Sequence, residues 1–449
     1  MSGTARSGPW HPFTQEALDP APIRIDRAEG AYLYTSDGRK ILDAISSWWV
    51  NIHGHSHPRI AAAIAEQAHR LEHVIFAGFT HQPAEELSRQ LLRILPRGLE
   101  HIFFSDDGST AVEVALKMAL QYWQNIGQPA KTQFIALEHA YHGDTAGAMS
   151  VGADSGFVTA FSTMRFPVLR AHSAYCYRCP VGKQRATCHI ECLEPLQRLL
   201  EERSGQIAAI IAEPLLQGAG GMIVHPVEYL QRLRELASHY GVLLIADEVL
   251  TGFGRTGKMF ACELAGIFPD IMCLSKGLTG GFLPLAATAA TGAVHESFCA
   301  SDRSRTFFHG HSYTANPLGC AAALASLQVF EAEPVFERIA TIERVHRLRA
   351  TALRDHPAVG DVRMIGTVAV IELRDDDPGY FSAVRPFLYD FYLRHNVLLR
   401  PLGNVVYILP PYVVTELELH GVYDVIAESL ERLPERRAGK ERRGDKAQA

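Results

Sequence analysis

The 449-residue chain has no excess of positive charge, no apolar run long enough to span a bilayer, and no apolar core near its first residues. With Lys+Arg at 43 against Asp+Glu at 49 the net charge is −6, which removes the electrostatic case for nucleic acid or an anionic membrane as partner. The missing apolar run excludes the sequence pattern of a transmembrane helix. Met1 to Trp10 lack the core of a signal peptide, so the expectation is a cytoplasmic protein whose thiols stay reduced. No internal repeat appears, which argues against a solenoid. What remains is an ordinary globular composition, 47% hydrophobic and 20% charged, long enough for a large α/β domain and a smaller one.

Cysteine is sparse, at eight residues. Cys262, Cys273, Cys299 and Cys320 are scattered in apolar surroundings and read as packing residues. Cys176, Cys179, Cys188 and Cys192 form a C-x2-C-x8-C-x3-C cluster around His189. That spacing could hold zinc, or its second half could be a helical start with two buried thiols. No metal enters the expected site.

Strand-like and helix-like segments alternate through the middle of the chain. His101-Ile102-Phe103-Phe104, Phe134-Ile135-Ala136-Leu137, Ile207 to Ala212, Val242 to Ala246 and Ile271 to Ser275 read as buried strands. Helical patterns lie between several of them, so a mostly parallel sheet covered on both faces is expected. A long helix starts near Asn316-Pro317, after which a helix over Ile339 to Leu353 and strands over Val368 to Leu373 and Val405 to Leu409 suggest an α+β lobe. A hairpin around Ser36-Asp37-Gly38 is expected to join that lobe. The division is residues 1–54 as an N-terminal segment joining the small domain, 55–330 as the large cofactor-binding domain, 331–434 as the C-terminal small domain and 435–449 as a disordered tail.

Asp247 and Lys276 each follow an apolar strand, which places both at the carboxyl edge of one sheet. Taken singly, the one reads as a helix cap and the other as a solvated loop lysine. Together they match the polar groups that pyridoxal phosphate needs: a lysine for the Schiff base and a carboxylate opposite the pyridinium nitrogen. Gly108-Ser109-Thr110 stands where a strand hands over to a helix, a place that binds phosphate through backbone N–H groups. Tyr141 follows another strand and could stack on a flat ring, or be a half-buried turn tyrosine. His309-Gly310-His311-Ser312-Tyr313-Thr314 could complete a phosphate site.

With these pieces in place the chain resembles the class III pyridoxal-phosphate aminotransferases. The resemblance rests on Leu243 to Val249, the glycine-rich loop Thr251 to Gly257, and Leu274-Ser275-Lys276-Gly277, in that order and spacing, and it covers about Trp10 to Leu433. Within the family it is most similar to the members that aminate 8-amino-7-oxononanoate to 7,8-diaminononanoate in biotin biosynthesis. That similarity lies in Trp10-His11-Pro12-Phe13-Thr14, Ser46-Ser47-Trp48-Trp49, Val112 to Trp123, Tyr141 to Thr145 and Arg400-Pro401-Leu402-Gly403.

The resemblance implies a fold-type I α/β transferase: a large domain with a mostly parallel sheet plus a smaller α+β domain, with pyridoxal 5'-phosphate as cofactor. By the same resemblance Lys276 would form the imine and Asp247 pair with the ring nitrogen. Gly108 and Ser109 would hold the phosphate and Tyr141 would lie over the ring. Trp48 and Phe13 would wall the keto-acid pocket, and Arg400 would bind its carboxylate. Gly310, His311 and Ser312 would reach in from the partner of a homodimer. Phe13 stands where the S-adenosylmethionine-using member usually has tyrosine, and residues 309–314 look more like the form that uses lysine. The tryptophan pair looks more like the S-adenosylmethionine form, which is the donor taken here, with lysine as the alternative. The remaining rivals are an ω-amine transaminase and a non-enzymatic binder of the cofactor.

Overall fold

The computed structural model describes residues 8–433; the tail expected at 435–449 lies outside them. Seven strands form the central sheet. In spatial order they are Leu99–Ser105, Ala286–Thr291, Ile271–Leu274, Leu243–Asp247, Ile207–Ala212, Gln133–Leu137 and Leu169–Ala171. Ala286–Thr291 runs antiparallel to both neighbours, and the other six point one way. The apolar runs read as strands because both faces of the sheet are covered. Leu243, Ile245, Ile271 and Cys273 enter one core cluster, whereas Leu244, Ala246, Met272 and Leu274 enter the other. Side chains on a strand alternate with period 2, so burial on both sides leaves no polar alternation in the sequence.

Helix Gly108–Asn125 covers one face through Val112, Ala115, Leu116, Ala119 and Trp123, all buried. Trp123 also donates its indole N–H to Ala208 O at 2.8 Å, which satisfies the polar handle of a buried tryptophan. Helix Pro317–Ala332 packs on helices Pro58–Arg70 and Gln82–Ile94, and is buried almost all round. That position explains its composition of alanine and leucine with hardly a charge.

The smaller α+β part has an antiparallel sheet of Val359–Ile365, Val368–Leu373 and Val405–Ile408, covered by helix Val335–Ala352, on which helix Glu416–Glu431 packs in turn. The N-terminal strands Tyr32–Thr35 and Lys40–Asp43 form the expected hairpin. Lys40–Asp43 also pairs in parallel with Val397–Leu398, so the N-terminal strands and a C-terminal segment share one sheet. Among the described residues no helix is long and apolar enough to cross a membrane.

Candidate functional site

Because six strands share one direction, their carboxyl ends meet at one edge. Residues 106–109, Tyr141, Glu213, Asp247 and Lys276 leave five of these strands and surround one cavity of about 710 Å³. The antiparallel strand begins at the same edge. Residues 275–285 therefore leave the sheet and return to it within one short span, closed by the Leu274–Ala287 pair and by Ser275 Oγ donating to Leu285 O at 2.9 Å.

Lys276 opens this span with φ +37°, a left-handed conformation that costs a non-glycine residue on the order of 1–3 kcal/mol and marks a functional constraint. Its side chain is half-buried in the cavity wall, and its Nζ lies 5.3 Å from the centroid of the Trp49 ring. Burial pushes its pKa down. The carboxylates of Asp247 and Glu213 work against that shift, and Arg255 adds to it. A lowered amine pKa enlarges the neutral, nucleophilic fraction.

Asp247 is buried at the end of the neighbouring strand. Its Oδ2 lies 2.6 Å from His142 Nδ1, and its Oδ1 accepts the Val249 N–H at 3.1 Å. A carboxylate can only accept, so His142 Nδ1 carries the proton and holds Asp247 in orientation. Glu213 ties two loops together. Oε1 accepts the Tyr141 N–H at 3.0 Å and Oε2 the Gly218 N–H at 2.8 Å. Burial raises its pKa, the His142 ring opposes that shift and Asp247 adds to it, with the outcome at about 7. Burial, with Asp144 adding, pushes the Tyr141 hydroxyl up, so it remains a neutral phenol.

Gly108 starts its helix beneath a capping box of Asp107 and Thr110. A Cβ at Gly108 would stand 2.5 Å from Val249 Cγ1, so glycine lets the helix end approach the loop that follows strand Leu243–Asp247. The first-turn N–H groups have no helical partner and form an anion site. The Ser109 hydroxyl is engaged with Thr145, at 2.7 Å to its Oγ1 and 3.0 Å from its N–H.

The outer rim is built by irregular backbone. Ser46, Ser47 and Trp49 all have positive φ, from 52° to 69°. Asp43, fully buried, holds this turn: it accepts the Ile45 N–H at 3.2 Å, the Ser47 N–H at 2.6 Å and the Ser47 hydroxyl at 3.0 Å, and meets His55 Nε2 at 2.9 Å. Arg255 braces the turn from below by donating to Trp49 O at 3.2 Å and Pro410 O at 2.8 Å. Trp48 and Trp49 both line the cavity. Phe13 and Arg400 stand just outside it. The Arg400 guanidinium is 5.4 Å from the Trp48 ring centroid and donates to Phe13 O at 3.4 Å, and the Phe13 and Trp48 rings are 5.6 Å apart.

Of the expected residues, the structure gathers Lys276, Asp247, Gly108, Ser109, Tyr141 and Trp48 around the cavity, with Phe13 and Arg400 at its mouth. Gly310, His311 and Ser312 do not line it within one chain. Gly310 and Ser312 are exposed, and His311 Nδ1 lies 3.2 Å from Asp106 Oδ2 on the rim. The cysteine cluster spans short 3-10 turns before helix Glu194–Arg203. All four thiols are free, with Cys192 buried and Cys188 partly so, and no group of three metal-ligating side chains stands together among the described residues. Asp43, His142, Glu213 and Arg255 were given no role from the sequence. Only the position of Glu213 at a strand end, like that of Asp247, offered a signal.

The chain matches the family model described as aminotransferase class-III over residues 13–430. It is 48% identical to the adenosylmethionine-8-amino-7-oxononanoate aminotransferase of Synechococcus elongatus, over 94% of this chain and 98% of that protein. The Geobacter sulfurreducens protein of the same name is 44% identical over 94% and 95%. The solved structure of that aminotransferase from Methanocaldococcus jannaschii superposes with a TM-score of 0.88 at 38% identity, covering 94% of this chain and 97% of that one. A PLP-bound amine transaminase from an uncultivated Pseudomonas species gives 0.90 at 33% identity, over 96% and 100%.

Proposed function

This chain belongs to the class-III aminotransferases, and on that ground we propose that it aminates 8-amino-7-oxononanoate to 7,8-diaminononanoate, a step of biotin biosynthesis, with S-adenosylmethionine as amino donor. The observation that carries the reading is the desolvated Lys276 beside the His142–Asp247 pair on adjacent strand ends, in a chain 48% identical to a protein so named.

The residues present fit pyridoxal 5'-phosphate. A buried carboxylate faces the cavity, a glycine permits close approach at a helix N-terminus, and a lysine of lowered pKa stands between them. When bound, this cofactor supplies an electron-withdrawing ring and a carbonyl carbon that carries nitrogen from one substrate to the other. Lys276 Nζ would hold the cofactor, and as a neutral amine it would move a proton at the substrate carbon, as general base and then as acid. Asp247, oriented by the His142 N–H, would face the ring nitrogen. Backbone N–H groups of Gly108 and Ser109 would hold the phosphate, and Tyr141 would cover the ring. Since the Ser109 hydroxyl already bonds Thr145, the backbone is the better phosphate donor of the two.

Arg400 binds the keto-acid carboxylate with its planar fork, while Trp48 and Phe13 cover the aliphatic chain. We read residues 55–330 as the cofactor-binding domain, and residues 1–54 with 331–434 as the smaller one. The chain works in the cytoplasm as a homodimer, with Gly310, His311 and Ser312 completing the site of the second copy. Lysine as donor is the second reading, favoured by Phe13 and by residues 309–314.

The test mixes the enzyme in its pyridoxal-phosphate form with S-adenosylmethionine and, separately, with lysine. Loss of the absorbance of the lysine-bound cofactor with the first alone, followed by diaminononanoate on adding the keto acid, is expected. Conversion by lysine alone overturns the donor, and preference for a simple ω-amino acid over the oxononanoate overturns the reaction.

A further inference from the structure

Arg400 stands at the cavity mouth on a turn, and its side chain is loosely held. The guanidinium lies 5.4 Å from the Trp48 ring centroid and reaches Phe13 O at 3.4 Å. A planar fork pairs well with a carboxylate only when its N–H groups are aimed at both oxygens. That aim must come from the backbone that carries the arginine.

The backbone is short and tightly keyed. Leu402 and Val405 exchange both N–H···O bonds, at 2.9 and 3.1 Å, which closes a turn directly after Arg400-Pro401 and leads into strand Val405–Ile408. At its tip Gly403 has φ +65°, and a Cβ there would lie 1.6 Å from Gly379 O. Glycine permits both the left-handed backbone and this approach. The turn is thus pressed onto the loop that follows strand Val368–Leu373.

Asn404 fastens that contact, and it is only 1% exposed. Its Nδ2 donates to Leu373 O at 2.8 Å and its Oδ1 accepts the Gly379 N–H at 3.0 Å. Its own carbonyl accepts the Leu373 N–H at 2.9 Å. Leu373 O needs a donor and the Gly379 N–H an acceptor, and a side-chain amide supplies both. The loop so gripped returns to the substrate wall. Tyr380 meets Phe157 edge-to-face at 4.5 Å, Phe157 meets Phe13 at 5.7 Å, and Phe13 carries the carbonyl bonded to Arg400. The contacts close a ring from Arg400 through its turn, Asn404 and the loop, and back to Arg400.

We infer that Asn404 is a positioning residue for Arg400: its amide fastens the turn to the Leu373 and Gly379 backbone and so fixes where the guanidinium meets the keto-acid carboxylate. This rests on Arg400 as the carboxylate anchor. Asn404 acts through Arg400 and not on the substrate itself.

The test is a double-mutant cycle on the full-length enzyme, with Asn404→Ala, Arg400→Ala and the two together. It reads the KM for the oxononanoate and, separately, the rate of the half-reaction with whichever donor the wild type uses. Asn404→Ala is expected to raise that KM about tenfold, below the roughly 10²-fold that a 1 Å misplacement can cost, with kcat and the donor half-reaction within about twofold of wild type. In the Arg400→Ala background the same change should move the KM by less than about twofold, because residues that act through one contact are not additive. A side chain that merely stabilises the fold would slow both half-reactions or act equally in both backgrounds, and either result refutes the inference. So does an unchanged KM in Asn404→Ala where Arg400→Ala has raised it, and Arg400 then keeps its role. If Arg400→Ala itself leaves the KM unchanged, the carboxylate role of Arg400 falls and the inference with it. Should Asn404→Ala fail to fold, Asn404→Asp, which keeps the bond from Gly379 and sets a carboxylate against Leu373 O, runs the same cycle with the same expected outcomes.

Discussion

Lys276 and Trp48 line the same cavity, but the chain reaches them by different means. Lys276 follows a strand whose every residue is buried, in a sheet fixed by backbone pairing on both sides. Trp48 sits on four residues of irregular backbone, held by Asp43, by the Leu409 carbonyl that accepts the Ser46 hydroxyl and by the Tyr407 hydroxyl that accepts the Trp49 indole N–H. The sheet edge gives each reactive group a position set by many cooperative bonds. The rim gives its aromatic wall a position set by a few polar contacts, so it can be reshaped without moving the chemistry. This division suits an enzyme that keeps one reaction and selects its substrates.

Changes at the edge should strike turnover, and changes at the rim should strike substrate binding. The largest effect is expected from Lys276→Ala, with turnover down by at least about 10⁴-fold, since both nucleophile and proton carrier are lost. Substantial residual activity in a single-turnover assay would break the comparison at its strongest point. Asp247→Asn removes the charge but keeps the shape. A fall of about 10²–10³ in kcat is expected, comparable to losing one preorganised electrostatic contact, with the KM for the keto acid little changed.

At the rim the pattern reverses. Arg400→Ala should raise the KM for the oxononanoate about 10- to 100-fold, the scale of a lost charge-assisted pair, while the donor half-reaction keeps its rate. An equal loss in both half-reactions would place Arg400 elsewhere. Asp43→Asn should lower stability by about 1.5–3 kcal/mol, the scale of a lost hydrogen bond to a charged group. It should weaken keto-acid binding and leave the cofactor spectrum intact, and denaturant melts with spectra of the same variant separate these.

The smallest effect concerns pH. Glu213 has a folded-state pKa of about 7 against an ordinary 4.5. The folded protein then binds more protons than the unfolded one between these values, so this group's contribution to stability falls as pH rises through that window and is level above about 7. The catalytic trend is opposite. Below about 7 the protonated carboxyl accepts the Tyr141 and Gly218 N–H groups less well, so kcat/KM should decline on the acid side. Glu213→Gln should flatten that limb and lower the plateau a few-fold, read from a pH–rate profile.

The two regions also differ in how far they could be read from residues alone. The buried strands around Ile207–Ala212, Leu243–Asp247 and Ile271–Leu274 were legible because a sheet covered on both faces needs unbroken apolar runs. Lys276 and Asp247 were legible because such runs end at them. His142, Glu213 and Asp43 act through tertiary hydrogen bonds across 105, 72 and 12 positions or fewer, and no local pattern encodes which backbone N–H a carboxylate will meet. Trp48 was found by resemblance, but the left-handed turn that presents it was not, because serine and tryptophan carry no preference for that conformation. Helices Arg385–Arg394 and Glu416–Glu431 went unread for different reasons. Arg385–Arg394 buries only Leu388, Phe391 and Tyr392, a stripe too short to show a period, whereas Glu416–Glu431 carries a full one, from Leu419 through Val422, Tyr423 and Ile426 to Leu430, that was legible and passed over.

The reversed strand Ala286–Thr291 has a mechanical consequence. Most loops that carry catalytic groups at a sheet edge lead off into a helix and are anchored firmly at one end. The span bearing Lys276 returns to the strand beside the one it left, so it behaves as a beam clamped at both ends, with Ser275 and Leu285 bonded across the clamp. Lengthening it by one residue would have no slack to absorb the change, and the lysine would move. New substrates must therefore be accommodated by remodelling the walls around a fixed lysine, and not by re-aiming the lysine itself.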